Sequence, residues 1–94
     1  MLKIVFTYEV PEERQAEYLK ATVETIKPYW ESHGCQSYHV WQMAEKPTTF
    51  IKEMVFENRD EMQRSMEEEG AKPAKELFYR FASNIVRQLY VSKV

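Results

Sequence analysis

Four stretches of this chain alternate apolar and polar residues with the period of a β-strand, and helical stretches separate them in a fixed order. We predict strands at residues 2–10, 35–43, 50–56 and 84–94. One helical run starts at Pro11, and further helical runs follow Asn58, an N-cap residue with Glu61 three positions on. This order predicts an α+β, ferredoxin-like βαββαβ protomer, in which an antiparallel sheet carries its helices on one face.

The first strand is apolar on both of its faces. Leu2, Ile4 and Phe6 share one face, whereas Val5 lies with Lys3 on the other. A strand with two apolar faces is typical of the middle of a sheet, so we expect neighbours on both sides of it.

The first helical run has one apolar face. Its members recur at spacings of three and four residues, and they are Ala16, Leu19, Val23, Ile26 and Trp30. Pro28 lies late in this run, where we expect it to kink the helix or to tighten its last turns. Gly34 supplies the stop signal.

A short polar connection at residues 44–49 predicts that the second and third strands form a hairpin. Helices on one side would leave the other face of the sheet bare, yet each strand has apolar residues on both faces. Because a large exposed apolar face is rare in a stable monomer, we expect a homodimer whose two sheets pack face to face.

The length of 94 residues predicts a single domain, residues 1–94. The net charge is −2 and the basic residues are interleaved with acids, so no nucleic-acid partner is expected. We expect a cytoplasmic protein, because Cys35 is the only cysteine and no signal peptide is recognisable. No apolar run reaches the length of a membrane span, so no membrane partner is expected.

Two stretches of the chain, "HGCQSYHVW" and "FIKEMVFENRDEM", carry a resemblance to a known family. With Gly34, Cys35, Tyr38 and Glu53 at their positions, the chain resembles the antibiotic-biosynthesis-monooxygenase-like group of dimeric α/β barrels. The resemblance implies a barrel-forming homodimer and a small aromatic ligand. It also implies oxidation of a quinol or polycyclic phenol by molecular oxygen, with no metal, flavin or other cofactor.

Two departures from the family pattern favour an alternative. Phe56 stands where members often have tryptophan, and the second helical region contains no histidine. Both departures favour a non-catalytic dimeric barrel that binds a small ligand or serves as an assembly module.

His39 and Glu53 are the candidate catalytic residues. A histidine titrates near neutral pH and can take a proton from a phenol, and a carboxylate with a raised pKa can do the same. The structural alternatives are a hydrogen-bonded histidine at the rim or lumen of the barrel, and an ion pair of Glu53 with Lys3, Arg87 or a group of a second chain.

Four aromatic side chains are the candidate ligand-binding residues, namely Tyr38, Trp41, Phe56 and Phe78. They could line a pocket for a flat ring, although aromatic clusters at such spacings also form ordinary core. Lys52 is expected to reach outward to water. No metal site is predicted, because the two histidines and one cysteine lack the spacing of metal ligands.

Overall fold

The computed structural model describes residues 1–94. The strands of its single sheet are β1 (Leu2–Glu9), β2 (Ser37–Gln42), β3 (Thr49–Phe56) and β4 (Ser83–Val91). The α-helices are α1 (Gln15–Ala21), α2 (Lys27–Glu31), α3 (Arg59–Glu67) and α4 (Lys72–Phe81). None of them is long and apolar enough to cross a membrane.

The sheet has the strand order β2-β3-β1-β4, and every neighbouring pair is antiparallel. The helices lie on one face, so the predicted α+β, ferredoxin-like fold is confirmed. The predicted hairpin of β2 and β3 and the inner position of β1 are confirmed as well. β4 ends at Val91, three residues before the predicted end of the strand.

Alternate residues of β1 and β3 divide between the two sides of the sheet. The even-numbered side chains of both strands face the helices and are buried, whereas the odd-numbered ones, apart from the buried Thr49, are only partly buried. Phe6 has a register partner on each neighbouring strand, namely Lys52 on β3 and Arg87 on β4, and all three side chains lie on the helix-facing side. One row of helix-facing side chains therefore crosses three strands.

The apolar face predicted for the first helical run is partly wrong. Leu19 and Val23 are 43% and 69% exposed, and Ala16 is exposed as well. The buried face consists of Tyr18, Thr22, Ile26 and Trp30, each four residues after the last.

A π-helical turn, Thr22–Ile26, explains this shift of the buried face. Because a π turn takes more residues than an α turn, side chains spaced by four stay on one face. Pro28 sits in the first turn of α2, directly after the π turn. The irregularity therefore precedes the proline. After it, the His33 backbone N–H donates to the Trp30 carbonyl oxygen at 3.1 Å, a three-residue spacing that tightens the end of the helix as predicted.

Local signals in the sequence do set the ends of the helices. The Asn58 side chain accepts a hydrogen bond from the Glu61 backbone N–H at 2.9 Å, which is the predicted N-cap of α3. Gly34 follows α2 with a φ of 104°, a conformation that favours glycine. Gly70 lies between α3 and α4, and Pro73 lies in the first turn of α4.

The core contains a hydrogen bond between the hydroxyls of Tyr8 on β1 and Tyr18 on α1. Both side chains are at most 1% exposed, and their rings pack edge to face at 5.9 Å. Each hydroxyl therefore has a hydrogen-bond partner although it is shielded from water, and the bond joins α1 to β1.

We predict that Tyr18→Phe lowers the free energy of unfolding by about 1–3 kcal/mol, because the Tyr8 hydroxyl then stays buried without a partner. The double variant Tyr8→Phe/Tyr18→Phe should recover most of this loss, since no polar group is left behind. Urea denaturation of both single variants and the double variant measures the coupling. Additive losses would contradict the predicted role of the pair.

Candidate functional site

A cavity of about 300 Å³ lies between the helix-facing side of the sheet and the helices. Strands β1, β3 and β4 supply one wall, and α2, α3 and α4 supply the others. Its apolar lining includes the rings of Phe6, Trp30, Phe78 and Tyr79. The volume and the apolar lining suit a small aromatic molecule.

Lys52 is the only lysine, arginine or carboxylate side chain that is buried, with 3% of its surface exposed. It lines the cavity, and its Nζ lies 3.4 Å from the ring centre of Phe78 and 4.4 Å from that of Phe6. The expectation that Lys52 reaches out to water is wrong, because strand alternation directs it under α4.

The amine of Lys52 has no acceptor within the protein. None of the ion pairs involves it, and its close neighbours are aromatic rings. The rings favour the ammonium form, but burial opposes it more strongly. Burial thereby lowers the pKa of Lys52 from its ordinary 10.5 to about 7. An amine of this kind can take up or release a proton at neutral pH.

The opposite face of the sheet, which we call the open face, carries a second polar group. Glu53 accepts hydrogen bonds from the Lys3 Nζ at 3.2 Å and from the Trp41 indole N–H at 2.8 Å. The ion pair with Lys3 is one of the structural alternatives considered for Glu53. A concavity of about 510 Å³ beside this group is lined by residues of β1, β3 and β4.

The structure divides the predicted catalytic and ligand-binding residues between the two faces. His39 and Glu53 are register partners on the open face, next to Trp41. Tyr38, Phe56 and Phe78 are buried on the helix side. Within one chain the residues therefore do not surround a common ring, because neighbouring residues of a strand point to opposite sides. The catalytic roles of His39 and Glu53 stay predictions.

Of the four predicted ligand-binding residues, only Phe78 lines the cavity between sheet and helices. Tyr38 is fully buried, with its ring centre 5.7 Å from the Lys52 Nζ and its hydroxyl without a hydrogen-bond partner. Phe56 is fully buried in the core, and Trp41 is 59% exposed on the open face.

Sequence reasoning missed the roles of Lys52 and Arg87 in the cavity. Lys52 stands between Phe50 and Met54 on the apolar face of its strand, and this placement indicates a buried amine. The contribution of Arg87 depends on the register of β4 with β1, which the sequence pattern does not specify.

The cysteine and the carboxylates offer no further reactive group. Cys35 is buried, and burial raises the pKa of its thiol to about 11, so the thiolate is scarce at neutral pH. No three side chains of histidine, cysteine, aspartate or glutamate come together in the manner of a metal site.

A comparison with models of protein families decides the membership of this chain. The model described as antibiotic biosynthesis monooxygenase matches residues 1–77. The chain belongs to this family. The resemblance of the sequence to it is thereby confirmed. No curated protein sequence matches the chain at a significant level.

Solved structures share the fold of this family member at low sequence identity. A mutant of SnoaB, a cofactor-independent oxygenase from Streptomyces nogalater, has a TM-score of 0.87 at 13% identity, over 99% of this chain and 93% of that chain. A conserved protein from Methanosarcina mazei has a TM-score of 0.81 at 17% identity, over 98% and 92%. An EthD family protein from Bacillus halodurans has a TM-score of 0.77 at 20% identity, over 99% of each chain.

We predict that Lys52→Met stabilises the protein at neutral pH. Between pH about 7 and about 10.5 the unfolded chain binds a proton on this amine that the folded protein releases, so the stability of the natural protein rises with pH. The gain should therefore be largest at or below pH 7 and should shrink toward pH 10.5, with an upper limit of about 5 kcal/mol.

Urea denaturation of Lys52→Met across this pH range measures the gain. Lys75→Met is the matched control, because Lys75 lines the same cavity but is only half-buried. A Lys52→Met variant that is less stable than the natural protein at every pH would show that the rings stabilise the ammonium more than burial opposes it.

Proposed function

We propose that the protein is a cofactor-independent monooxygenase that oxidises a quinol or polycyclic phenol with molecular oxygen. Membership of the family supports this reaction, as does the shared fold with an oxygenase that needs no cofactor. The observation that carries the proposal is the unpaired amine of Lys52 in an aromatic cavity.

In this proposal the substrate ring occupies the cavity beside Phe6 and Phe78. The neutral amine of Lys52 accepts the proton of the phenolic hydroxyl, because its pKa of about 7 leaves a large neutral fraction at physiological pH. The new ammonium then pairs with the phenolate, in surroundings from which water is largely excluded. Deprotonation makes the ring electron-rich enough to react with oxygen.

The substrate itself supplies the electrons for the reaction. In the keto tautomer of the phenol, a ring CH₂ group and O₂ become a ring C=O group and water. One oxygen atom thus enters the product, and the other leaves with both hydrogens of the CH₂ group. The protein has only to bind the ring, remove a proton and admit oxygen.

His39 and Glu53 are the alternative pair of acid–base residues for the same reaction. They lie on the open face, so they could act only on a substrate held there, beside the concavity of about 510 Å³. Glu53 already accepts hydrogen bonds from Lys3 and Trp41. We therefore prefer Lys52 as the base.

A second candidate function is ligand binding or assembly without catalysis. Phe56, which stands where relatives often have tryptophan, is fully buried and does not line the cavity. α4 contains no histidine either. A protein of this kind would bind an aromatic ligand beside Lys52 and leave it unchanged.

We also propose that two chains form a homodimer through their open faces. Trp41, Val86 and Tyr90 expose half or more of their surface on this face. A second sheet would cover these side chains and would enclose the paired Glu53. A cytoplasmic location stays a prediction from the single cysteine.

The proposed function predicts uptake of oxygen by the purified protein with a panel of quinols and polycyclic phenols and no added cofactor. Lys52→Met should lower the rate about 100-fold or more, the usual effect of losing a general base. The rate of the natural protein should rise with pH through about 7, as the amine loses its proton.

Glu53→Gln is the matched variant, because Glu53 is the neighbour of Lys52 on β3 and faces the other way. If Glu53→Gln abolished the uptake while Lys52→Met did not, the reaction would belong to the open face. If the natural protein consumed no oxygen with any compound, the proposal of an oxygenase would be wrong and the binding function would be favoured.

The proposed dimer predicts a mass in solution of twice the 11.3 kDa chain. Val86→Asp should shift the protein to the monomer without unfolding it, because Val86 is 56% exposed in the single chain. Val23→Asp is the control, since Val23 is 69% exposed on the helical side. Analytical ultracentrifugation measures both, and a Val86→Asp dimer would exclude the open face as the interface.

A further inference from the structure

The charged residues that line the cavity between sheet and helices are all basic. They are Lys52, Lys75 and Arg87, and no aspartate or glutamate lines the cavity. The whole chain has 15 acidic and 13 basic residues, so this local excess of positive charge departs from the composition of the protein. A cavity with such a lining attracts anions.

Two of these basic residues lie in one row across the sheet. Lys52 and Arg87 are both register partners of Phe6, on the strands to either side of it. Neighbouring strands are about 4.8 Å apart, so the backbones of Lys52 and Arg87 are separated by about 10 Å. The ring of Phe6 lies between them, and the Lys52 Nζ lies over it.

The three basic side chains differ in depth. Lys52 is 3% exposed, Lys75 is half-buried, and Arg87 is exposed. Lys52 therefore marks the inner part of the cavity, and the other two mark its mouth. None of the three takes part in an ion pair, although the protein has four elsewhere.

We infer that the ligand of this cavity is an aromatic molecule that carries a carboxylate. Its ring lies beside Lys52 and Phe78, and its carboxylate meets Arg87 and Lys75 at the mouth. The inference rests on the proposed function for the location of the site, and it adds the substrate class and the orientation of the ring.

The chemistry of the mouth favours a carboxylate over an uncharged phenol. A guanidinium presents two parallel N–H donors that match the two oxygens of a carboxylate. Lys75 adds a second cation from α4, across the cavity from the β4 strand of Arg87. An uncharged aromatic would fill the apolar part of the cavity and leave both cations unused.

Isothermal titration calorimetry with 2-naphthoate and 2-naphthamide tests this inference. The two probes have the same ring and nearly the same shape, and only the first is charged. The natural protein should bind 2-naphthoate at least about tenfold more tightly than 2-naphthamide, and added salt should weaken only the binding of 2-naphthoate.

Arg87→Gln should remove most of this preference by weakening the binding of 2-naphthoate far more than that of 2-naphthamide, because the charge pairing is lost only for the carboxylate, whereas the glutamine amide can still donate a hydrogen bond to either probe. Lys75→Gln should remove a smaller part. Lys72→Gln is the matched control, since Lys72 is an exposed lysine of the same helix that does not line the cavity. This variant should keep the full preference.

Equal affinities for the two probes would overturn the inference, as would binding of neither or a preference that survives Arg87→Gln. The outcome is separate from that of the proposed function. A preference for the carboxylate without oxygen uptake from hydroxynaphthoates would support the inference and contradict the oxygenase. Oxygen uptake from naphthols without a preference for the carboxylate would support the oxygenase and contradict the inference.

Discussion

Helices cover only one side of the four-stranded sheet, so neighbouring residues of a strand enter different surroundings. Lys52 and Glu53 illustrate this constraint. One is enclosed by aromatic rings, and the other lies on the open face with Lys3 and Trp41. The candidate site and the proposed dimer interface are thus opposite sides of the same strands, and a shift of register by one residue would exchange them.

The enclosed amine costs the fold stability. A methionine in place of Lys52 would fill similar space without the penalty of burying a charge. The structure offers Lys52 no carboxylate to offset the penalty, although it pairs Lys3 and Lys46 with glutamates. Buried groups with strongly shifted pKa values concentrate at functional sites, which is the reason that we assign the chemistry to this side of the sheet.

Much of the fold could be predicted from the sequence, because it rests on local patterns. The alternation in β1 and β3 and the Asn58 cap specify elements that tertiary packing does not override. The buried face of the first helical run could not be predicted by assuming an α-helical period, since the π turn at Thr22–Ile26 changes that period.

The candidate site was predicted less completely than the fold. Phe78 lines the cavity, but His39 and Trp41 differ from Tyr38 in strand parity and so face away from it. The burial of Lys52 depends on α4, which is distant in sequence and blocks the path by which the side chain would reach water. Contacts of this kind follow from tertiary packing and not from the pattern of one strand.

The central claim is that Lys52 carries an unpaired amine that titrates near neutral pH inside the aromatic cavity. NMR of protein labelled with ¹³C at the lysine Cε carbons measures this directly, and Lys52→Met assigns the resonance. We expect the Lys52 signal to titrate with a pKa of about 7. A pKa near the ordinary 10.5 in the free protein would contradict the account, because the amine would then be solvated or paired.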